Sequence, residues 1–186
     1  MITSSFKPQA GRFLISEPFM ADANFQRTVV LLVEHNEEGS LGFVMNRKIE
    51  QSLHELAEGM PTTQAPVFMG GPVEQNTLHY VHQDSTIKGS RKVFGEIYWS
   101  GDFEDIKSKM LLGTFNHEEI LFFVGYSGWG PGQLEKELSE KAWIIAPENP
   151  EIIFESNHTS LWQSLLRSLG GKFQVLSNYP IDPSLN

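Results

Sequence analysis

Residues 125–138 read Gly-Tyr-Ser-Gly-Trp-Gly-Pro-Gly-Gln-Leu-Glu-Lys-Glu-Leu, with four glycines and a proline in the first eight positions. An apolar run, Ile120 to Val124, comes directly before this segment. Glycine permits tight backbone paths, and proline is favoured in the first turn of a helix. We therefore predict a buried strand over 120–124 and a turn over 125–132. A helix is expected over 131–141, with Pro131 at its first position.

The rest of the chain carries strand and helix signals that do not alternate strictly. Apolar and β-branched runs predict strands over 11–16, 27–35, 40–46, 66–69, 77–81 and 142–146, an irregular strand over 92–99 and a short edge strand over 152–154. Capping residues and helical spacing predict helices over 52–58, 102–112 and 159–169. This order indicates the α+β class, a mixed β-sheet with helices packed on it.

The length of the chain bounds its domain organisation. The 186 residues fit a single domain, 1–186, with room for a small inserted subdomain. Pro180 and Pro183 fall within residues 178–186, so that segment is predicted to be an extended tail.

The charge of the chain argues against nucleic-acid binding. The formal net charge is -9 at pH 7, whereas nucleic-acid binders typically carry a basic patch or stripe. The best local cluster of positive residues, Lys88, Arg91 and Lys92, is typical of a solvated loop. Direct nucleic-acid binding is therefore not expected.

The residue content also bears on the cellular compartment. The chain has no cysteine, which excludes disulfides, thiolate nucleophiles and zinc fingers. The first residues lack the apolar core of a signal peptide, and the longest apolar runs have strand length. We therefore expect a cytoplasmic protein without a membrane span.

The glycine-rich segment matches no catalytic or phosphate-binding motif in full. A Gly-x-Ser-x-Gly nucleophile elbow needs glycine where Trp129 stands, and Ser127 has no evident histidine and acid partners. The glycine spacings of dinucleotide and phosphate loops are missing, so no cofactor is predicted. A helix N-terminus near Gly132 could hold an anion, but a tight turn with Trp129 in the core is the simpler interpretation.

The six histidines raise the question of a metal or acid–base site. None has the spacing of a metal-binding motif, so no metal is predicted. His35 stands beside Glu34 at the end of an expected strand, which makes it the histidine of most interest for acid–base chemistry. The alternative for His35 is a hydrogen-bonded strand terminus.

Strand ends and glycine turns often gather around one cleft. If they meet in this chain, they form a pocket lined by Arg27, Arg47 and Gln133. The hypothesis fails if the strand ends lie on opposite sides of the molecule. The full set of candidate ligand- or partner-binding residues is Arg27, His35, Asn46, Arg47, Gly70, Gly71, Gly128, Trp129, Gly130 and Gln133.

Six segments form a recognisable set: Gly11–Met20, Phe25–His35, Leu41–Arg47, Gly70–Val73, Leu78–His79 and Gly125–Glu135. Together they resemble the AlgH/YqgE family of bacterial proteins over nearly the whole chain. The sequence departs from the family pattern at Lys48, where proline is usual, and at Ser127, where alanine is common. The second departure argues further against Ser127 as a nucleophile.

The resemblance implies a compact α+β fold with a mixed sheet, in a cytoplasmic bacterial protein. It also implies a transcriptional-regulator label, but no reaction, cofactor or catalytic residue. Because the chain is acidic, an indirect route through a protein or small ligand is favoured. The leading hypothesis is a non-enzymatic binding or regulatory protein. The alternative is an enzyme with a cleft near His35 and the Gly125–Gly132 loop.

Overall fold

The computed structural model describes residues 6–154 and 157–180. The strands are β1 Phe13–Ser16, β2 Val29–Asn36, β3 Gly39–Val44, β4 Val67–Met69, β5 Val73–His82, β6 Arg91–Phe94, β7 Ile97–Trp99, β8 Ile120–Trp129 and β9 Trp143–Ala146. The helices are α1 Leu53–Leu56, α2 Phe103–Leu111, α3 Gln133–Ser139, α4 Pro150–Ile153, α5 Leu161–Ser168 and α6 Gly171–Leu176. A 3-10 turn, His117–Glu119, leads into β8.

The strands of the described ranges form one sheet in the order β6-β7-β5-β8-β3-β2-β1-β9, with β4 beside β8 off this path. β4 runs parallel to β8, whereas β5 and β3 run antiparallel to it. The predicted mixed sheet with helices is therefore confirmed. β8 takes the central place because its apolar residues serve both faces: Phe122 and Phe123 point in opposite directions and are both 0% exposed.

Helices cover both faces of the sheet. On one face Phe43 and Phe123 stack with ring centroids 4.7 Å apart, in a cluster that includes Trp162 of α5. On the other face α3 contributes Leu134 and α2 contributes Ile106. Each such buried side chain stabilises the fold by about 1.5–3 kcal/mol relative to leaving it exposed.

The central strand is longer than the sequence predicts. β8 continues past Val124 to Trp129, since its last residues pair with β3. The predicted turn over 125–132 therefore begins only at Gly130. Pro131 is not the first helical residue, because Gly132 is the N-cap with φ +71° and α3 starts one residue later. Cross-strand pairing outweighs the weak strand propensity of glycine here.

The C-terminal third also differs from the prediction. Residues 152–154, predicted as an edge strand, fall within and just after α4, which has proline at its first turn. The helix α6 follows α5 directly and was not predicted. Asn178 and Tyr179 continue α6 as hydrogen-bonded turns, and residues 181–186 lie outside the described ranges.

Other local predictions agree with the structure more closely. The Asp102 side chain accepts hydrogen bonds from the amides of Glu104 and Asp105, which makes it the predicted N-cap of α2. The irregular strand over 92–99 is a hairpin, β6 and β7, that turns at Gly95. Among the described helices, none has the length and apolar character needed to cross a membrane.

Candidate functional site

A polar pocket of about 460 Å³ opens where the chain leaves β3, enters β4 and approaches β8. Its polar side chains are those of Asn46, Lys48, Gln64, His117, Glu118, His158 and Thr159. Apolar side chains, among them Phe68 and Leu121, line the remainder. Concave sites of this size with a few convergent polar groups are typical of small-ligand pockets.

One wall of the pocket is the segment that follows β3. Asn46 Oδ1 accepts a hydrogen bond from the Val29 amide at 2.9 Å, and its Nδ2 donates to the Arg27 carbonyl at 2.8 Å. Lys48 forms an antiparallel bridge with Phe68 of β4. The Asn46 amide is thus committed to the backbone of the chain. The Lys48 ammonium makes no ion pair with a carboxylate of the described residues.

The two histidines of the pocket come from different segments. His158 Nε2 lies 3.0 Å from the carbonyl oxygen of Ile153, and the ring packs edge-on against Phe68 with centroids 4.7 Å apart. Because a carbonyl only accepts, that nitrogen carries the hydrogen and the ring orientation is fixed. His117 begins the 3-10 turn, whose Glu118 amide donates to the Asn116 side chain at 3.0 Å.

These groups can bind a polar molecule but do not form a metal site. Within 6–154 and 157–180, no three histidine or carboxylate side chains are arranged as metal ligands. The Lys48 ammonium and the His117 imidazole beside the Glu118 carboxylate suit a ligand that carries an acidic group and a hydrogen-bond donor.

The two predicted arginines lie next to this pocket but are bound to the chain itself. The Arg27 guanidinium stacks 4.6 Å over the Trp162 ring and donates to the carbonyl of Tyr179. The Arg47 guanidinium donates to the carbonyl of Ala23 at 2.8 Å. Partial burial lowers the pKa of both guanidinium groups. Both side chains therefore fasten loops and helices to the sheet.

Most of the other predicted residues lie at the opposite end of β3: His35, Gly128, Trp129, Gly130 and Gln133. Gly70 lies at the same end as Arg47, because its carbonyl accepts a hydrogen bond from the Val44 amide at 2.8 Å. Ser40, at the start of β3, pairs with His35 on one side and Trp129 on the other. Gly130 and Gln133 follow Trp129, and the Gly130 amide donates to the Gln133 side chain at 3.0 Å. β3 has six residues and so spans about 20 Å.

The single pocket expected from Arg27, Arg47 and Gln133 is therefore not formed. The arginines lie beyond the C-terminal end of β3, whereas Gln133 lies beyond its N-terminal end. Antiparallel pairing of β2, β3 and β8 decides this separation, because it fixes which strand ends are neighbours.

The predicted glycines serve strand packing. A Cβ on Gly71 would overlap the carbonyl of Tyr126, and Gly70 donates its amide to Val124 at 2.9 Å. Gly128 lies inside β8, opposite Leu41 of β3. Gly70 and Gly71 thus permit the connection between β4 and β5 to pass closely over β8.

The tryptophan and the glutamine of the glycine-rich segment converge on one carboxylate. Glu137 Oε2 accepts hydrogen bonds from Trp129 Nε1 at 2.9 Å and from Trp143 Nε1 at 2.7 Å. Its second oxygen accepts from Gln133 Nε2 at 2.9 Å. Both indoles are buried, so Glu137 ties α3 to β8 and β9. We name this cluster, Trp129, Gln133, Glu137 and Trp143, the tryptophan clamp.

His35 lies between a hydroxyl and a carboxylate. Its Nδ1 is 2.8 Å from Ser40 Oγ, and its Nε2 is 3.5 Å from Glu135 Oε1. The carboxylate that meets His35 is thus Glu135, whereas the neighbouring Glu34 pairs with Arg91. Ser40 is 8% exposed and sits within a paired strand.

Comparison with known proteins gives the family. The AlgH-like family matches residues 13–174. The chain belongs to the AlgH-like family. A UPF0301 protein from Cytophaga hutchinsonii is 47% identical over 178 residues, covering 95% of this chain and 98% of that protein. Another UPF0301 protein, from Chlorobium limicola, is 38% identical over 187 aligned positions and covers 100% of both chains.

Two solved structures share this AlgH-like fold. The solution structure of the AlgH protein from Pseudomonas aeruginosa has 33% identity and a TM-score of 0.74, covering 97% of this chain and 98% of that one. A crystal structure from Corynebacterium diphtheriae has 20% identity and a TM-score of 0.77, covering 96% and 95% of the two chains. The family resemblance expected from the sequence is confirmed.

The two positions at which the sequence is expected to depart from the family pattern have different structural settings. Ser127 is fully buried and donates to the Gly70 carbonyl at 3.0 Å, which is a packing role. Lys48 lines the polar pocket. No local pattern in the sequence marks His117 and His158 as pocket residues, because they lie far apart in the chain and line one pocket only in the folded structure.

Proposed function

We propose that this AlgH-like protein is a non-enzymatic binding protein that holds a small acidic metabolite in the polar pocket. The observation that supports it is the convergence of Lys48, His117 and His158 on one pocket of about 460 Å³. These groups come from three separate segments of the chain. Their approach is stabilised by the β4–β8 pairing and by the contact of His158 with Phe68.

The charges around the pocket define the class of ligand. Lys48 supplies a cation in a chain whose formal net charge is -9. A carboxylate or phosphate on the ligand would meet this ammonium, and the His117 imidazole would add a hydrogen bond. Glu118 on the same pocket disfavours a polyanion and favours a ligand that also carries an amine or hydroxyl.

The proposal extends to a cytoplasmic, single-domain regulator that influences transcription indirectly. The acidic charge supports the indirect route, because a strongly negative chain is repelled by phosphate backbones. A mobility-shift titration at low salt tests the rival route, which is direct binding of the protein to DNA. Binding of duplex DNA at micromolar protein would contradict the indirect route.

A thermal-shift screen of small carboxylates and phosphates tests the pocket itself. We expect a ligand that raises the melting temperature of the natural chain but not of Lys48→Ala. The matched control is Lys92→Ala, an exposed lysine of β6 outside the pocket, which should keep the shift. Equal shifts in both variants would exclude the pocket, and so would the failure of every such compound to bind.

A second candidate function is hydrolysis at His35. It is favoured by the placement of this imidazole between Ser40 Oγ and the Glu135 carboxylate, at 2.8 and 3.5 Å. Labelling with a fluorophosphonate that is lost in Ser40→Ala would support this activity. If the reagent has full access to the folded chain and no residue is labelled, hydrolysis at His35 is excluded. The burial of Ser40 agrees with that result.

A further inference from the structure

The strand β9 forms one edge of the sheet. It pairs with β1, and on its other side the sheet order ends. The Glu17 amide donates to the Ala142 carbonyl at 2.9 Å, and hydrogen-bonded pairs alternate along an antiparallel ladder. Ile144 and Ala146 therefore bond to β1. The amide and carbonyl groups of Trp143 and Ile145 point away from β1. The side chains of these two residues are buried on the α3 face, which leaves the residues 4% and 3% exposed.

A groove of about 530 Å³ runs along this edge, between α3 and α6. Leu138 and Trp143 line it on one face of the sheet, and Ile144 and Phe173 line it on the other. Phe19 adds a phenyl ring that is 51% exposed. An open strand edge with apolar side chains on both faces is the arrangement that accepts an extended peptide as an added strand.

The charges of the groove are opposite to those of the whole chain. Lys7, Lys141 and Lys172 line it, and Glu17 is the one carboxylate among its lining residues. Within the described part of the chain, none of these three lysines forms an ion pair. The net charge of the chain is -9, so this cationic rim is a local feature and favours an acidic occupant.

The backbone at Lys141 supports the same interpretation. Lys141 has φ +64° just after the C-cap Glu140 of α3, a position where glycine is the usual residue. A side chain in this conformation costs about 1–2 kcal/mol. Lys141 thus places a cation at the groove in a backbone conformation that destabilises the fold. Strained residues of this kind are typical of functional positions.

We propose that the β9 edge binds an extended segment of a partner protein, with apolar residues flanked by aspartate or glutamate, as an added strand. Its backbone pairs with Trp143 and Ile145, and its apolar side chains contact α3 and α6. Its acidic residues face the lysines. The site goes beyond the proposed ligand pocket, because the two share no lining residue.

The test uses an eight-residue probe, acetyl-Asp-Glu-Val-Ile-Val-Ile-Glu-Asp-amide. Its apolar centre has four residues, the same length as β9. Binding is followed by NMR hydrogen exchange on the full chain. We expect the amides of Trp143 and Ile145 to gain protection, while Ile144, already paired with β1, changes little. A probe with lysine in place of each acidic residue should not bind. N-methylation of every second backbone amide of the probe should abolish binding in one of its two registers, the one in which the methylated amides face β9.

Lys141→Gly is the matched variant, because it removes the cation and relieves the positive-φ strain, so it should fold at least as well as the natural chain. We expect the probe to bind it about threefold more weakly, the effect of losing an exposed ion pair, and Lys92→Ala to bind unchanged. Three results would overturn the proposal. They are no binding up to about 1 mM probe, equal affinity for Lys141→Gly and the natural chain, or full protection of both amides before the probe is added. The last result would mean that the chain itself or a second copy already covers the edge.

Discussion

Replacing Glu137 by alanine removes the acceptor that the two tryptophans of the tryptophan clamp share. The carboxylate oxygen Oε2 accepts from Trp129 and Trp143 at 2.9 and 2.7 Å, and the two indoles are only 5% and 4% exposed. Hydrogen bonds to a charged group contribute about 1.5–3 kcal/mol each. The bond from Gln133 adds little because it is exposed to water.

The expected loss in the free energy of unfolding is therefore about 3 kcal/mol, the low end for two such bonds, because Glu137 is itself only half-buried. This is a large share of the 5–15 kcal/mol typical of a folded domain. Urea unfolding followed by tryptophan fluorescence and by circular dichroism measures it.

Two further variants make the reasoning refutable. Glu137→Gln keeps one oxygen that can accept from both indoles, so it should cost about half as much. Glu140→Ala is the control on the same helix, since its exposed ion pair with Lys136 at 3.9 Å is worth about 0.5 kcal/mol or less. A loss of less than about 1 kcal/mol in Glu137→Ala, the value of one ordinary hydrogen bond, would refute the role of this carboxylate as the shared acceptor.

Three other perturbations have expected outcomes. Gly39→Ala should lower the free energy of unfolding, measured by thermal denaturation, by about 3 kcal/mol or more, because φ is +135° and a Cβ would overlap the Trp129 carbonyl. Gly95→Ala is the control: φ is +48° but the space around it is open, so the loss should be only about 1–2 kcal/mol. Burial lowers the pKa of His82, so the unfolded chain takes up this proton before the folded chain does as the pH falls below about 6.5. The contribution of His82 to stability is thus fully present above that pH and declines below it, by up to about 1.4 kcal/mol per pH unit. A His82→Asn variant should show a shallower fall in urea midpoint between pH 7.5 and 5, and an unchanged slope would contradict the assignment. Asp102→Ala should lower the unfolding free energy by about 1 kcal/mol through loss of the α2 cap, and a loss near zero would mean that the cap is not used in solution.

Local signals in the sequence were enough for much of the fold. The apolar run before Gly125 predicted a buried strand, because side chains on both of its faces must be buried, and the structure places that strand at the centre of the sheet. Asp102 and the Ser52–Glu55 capping box marked the starts of α2 and α1, since these bonds involve residues only two or three apart. The α+β class and the family followed from these elements and from the quoted segments.

Contacts between distant parts of the chain decided the rest. The extension of β8 to Trp129 depends on pairing with β3, and no local pattern carries that information. The same antiparallel pairing places Arg47 and Gln133 at opposite ends of β3, so the sequence could suggest both residues but not whether they meet. It also brings Lys48, His117 and His158 to one pocket from three separate segments. By itself the sequence determined the α+β class, the buried strand before Gly125 and the starts of α1 and α2. The tertiary structure decided which strand ends are neighbours, because register and strand order arise only when distant segments pair.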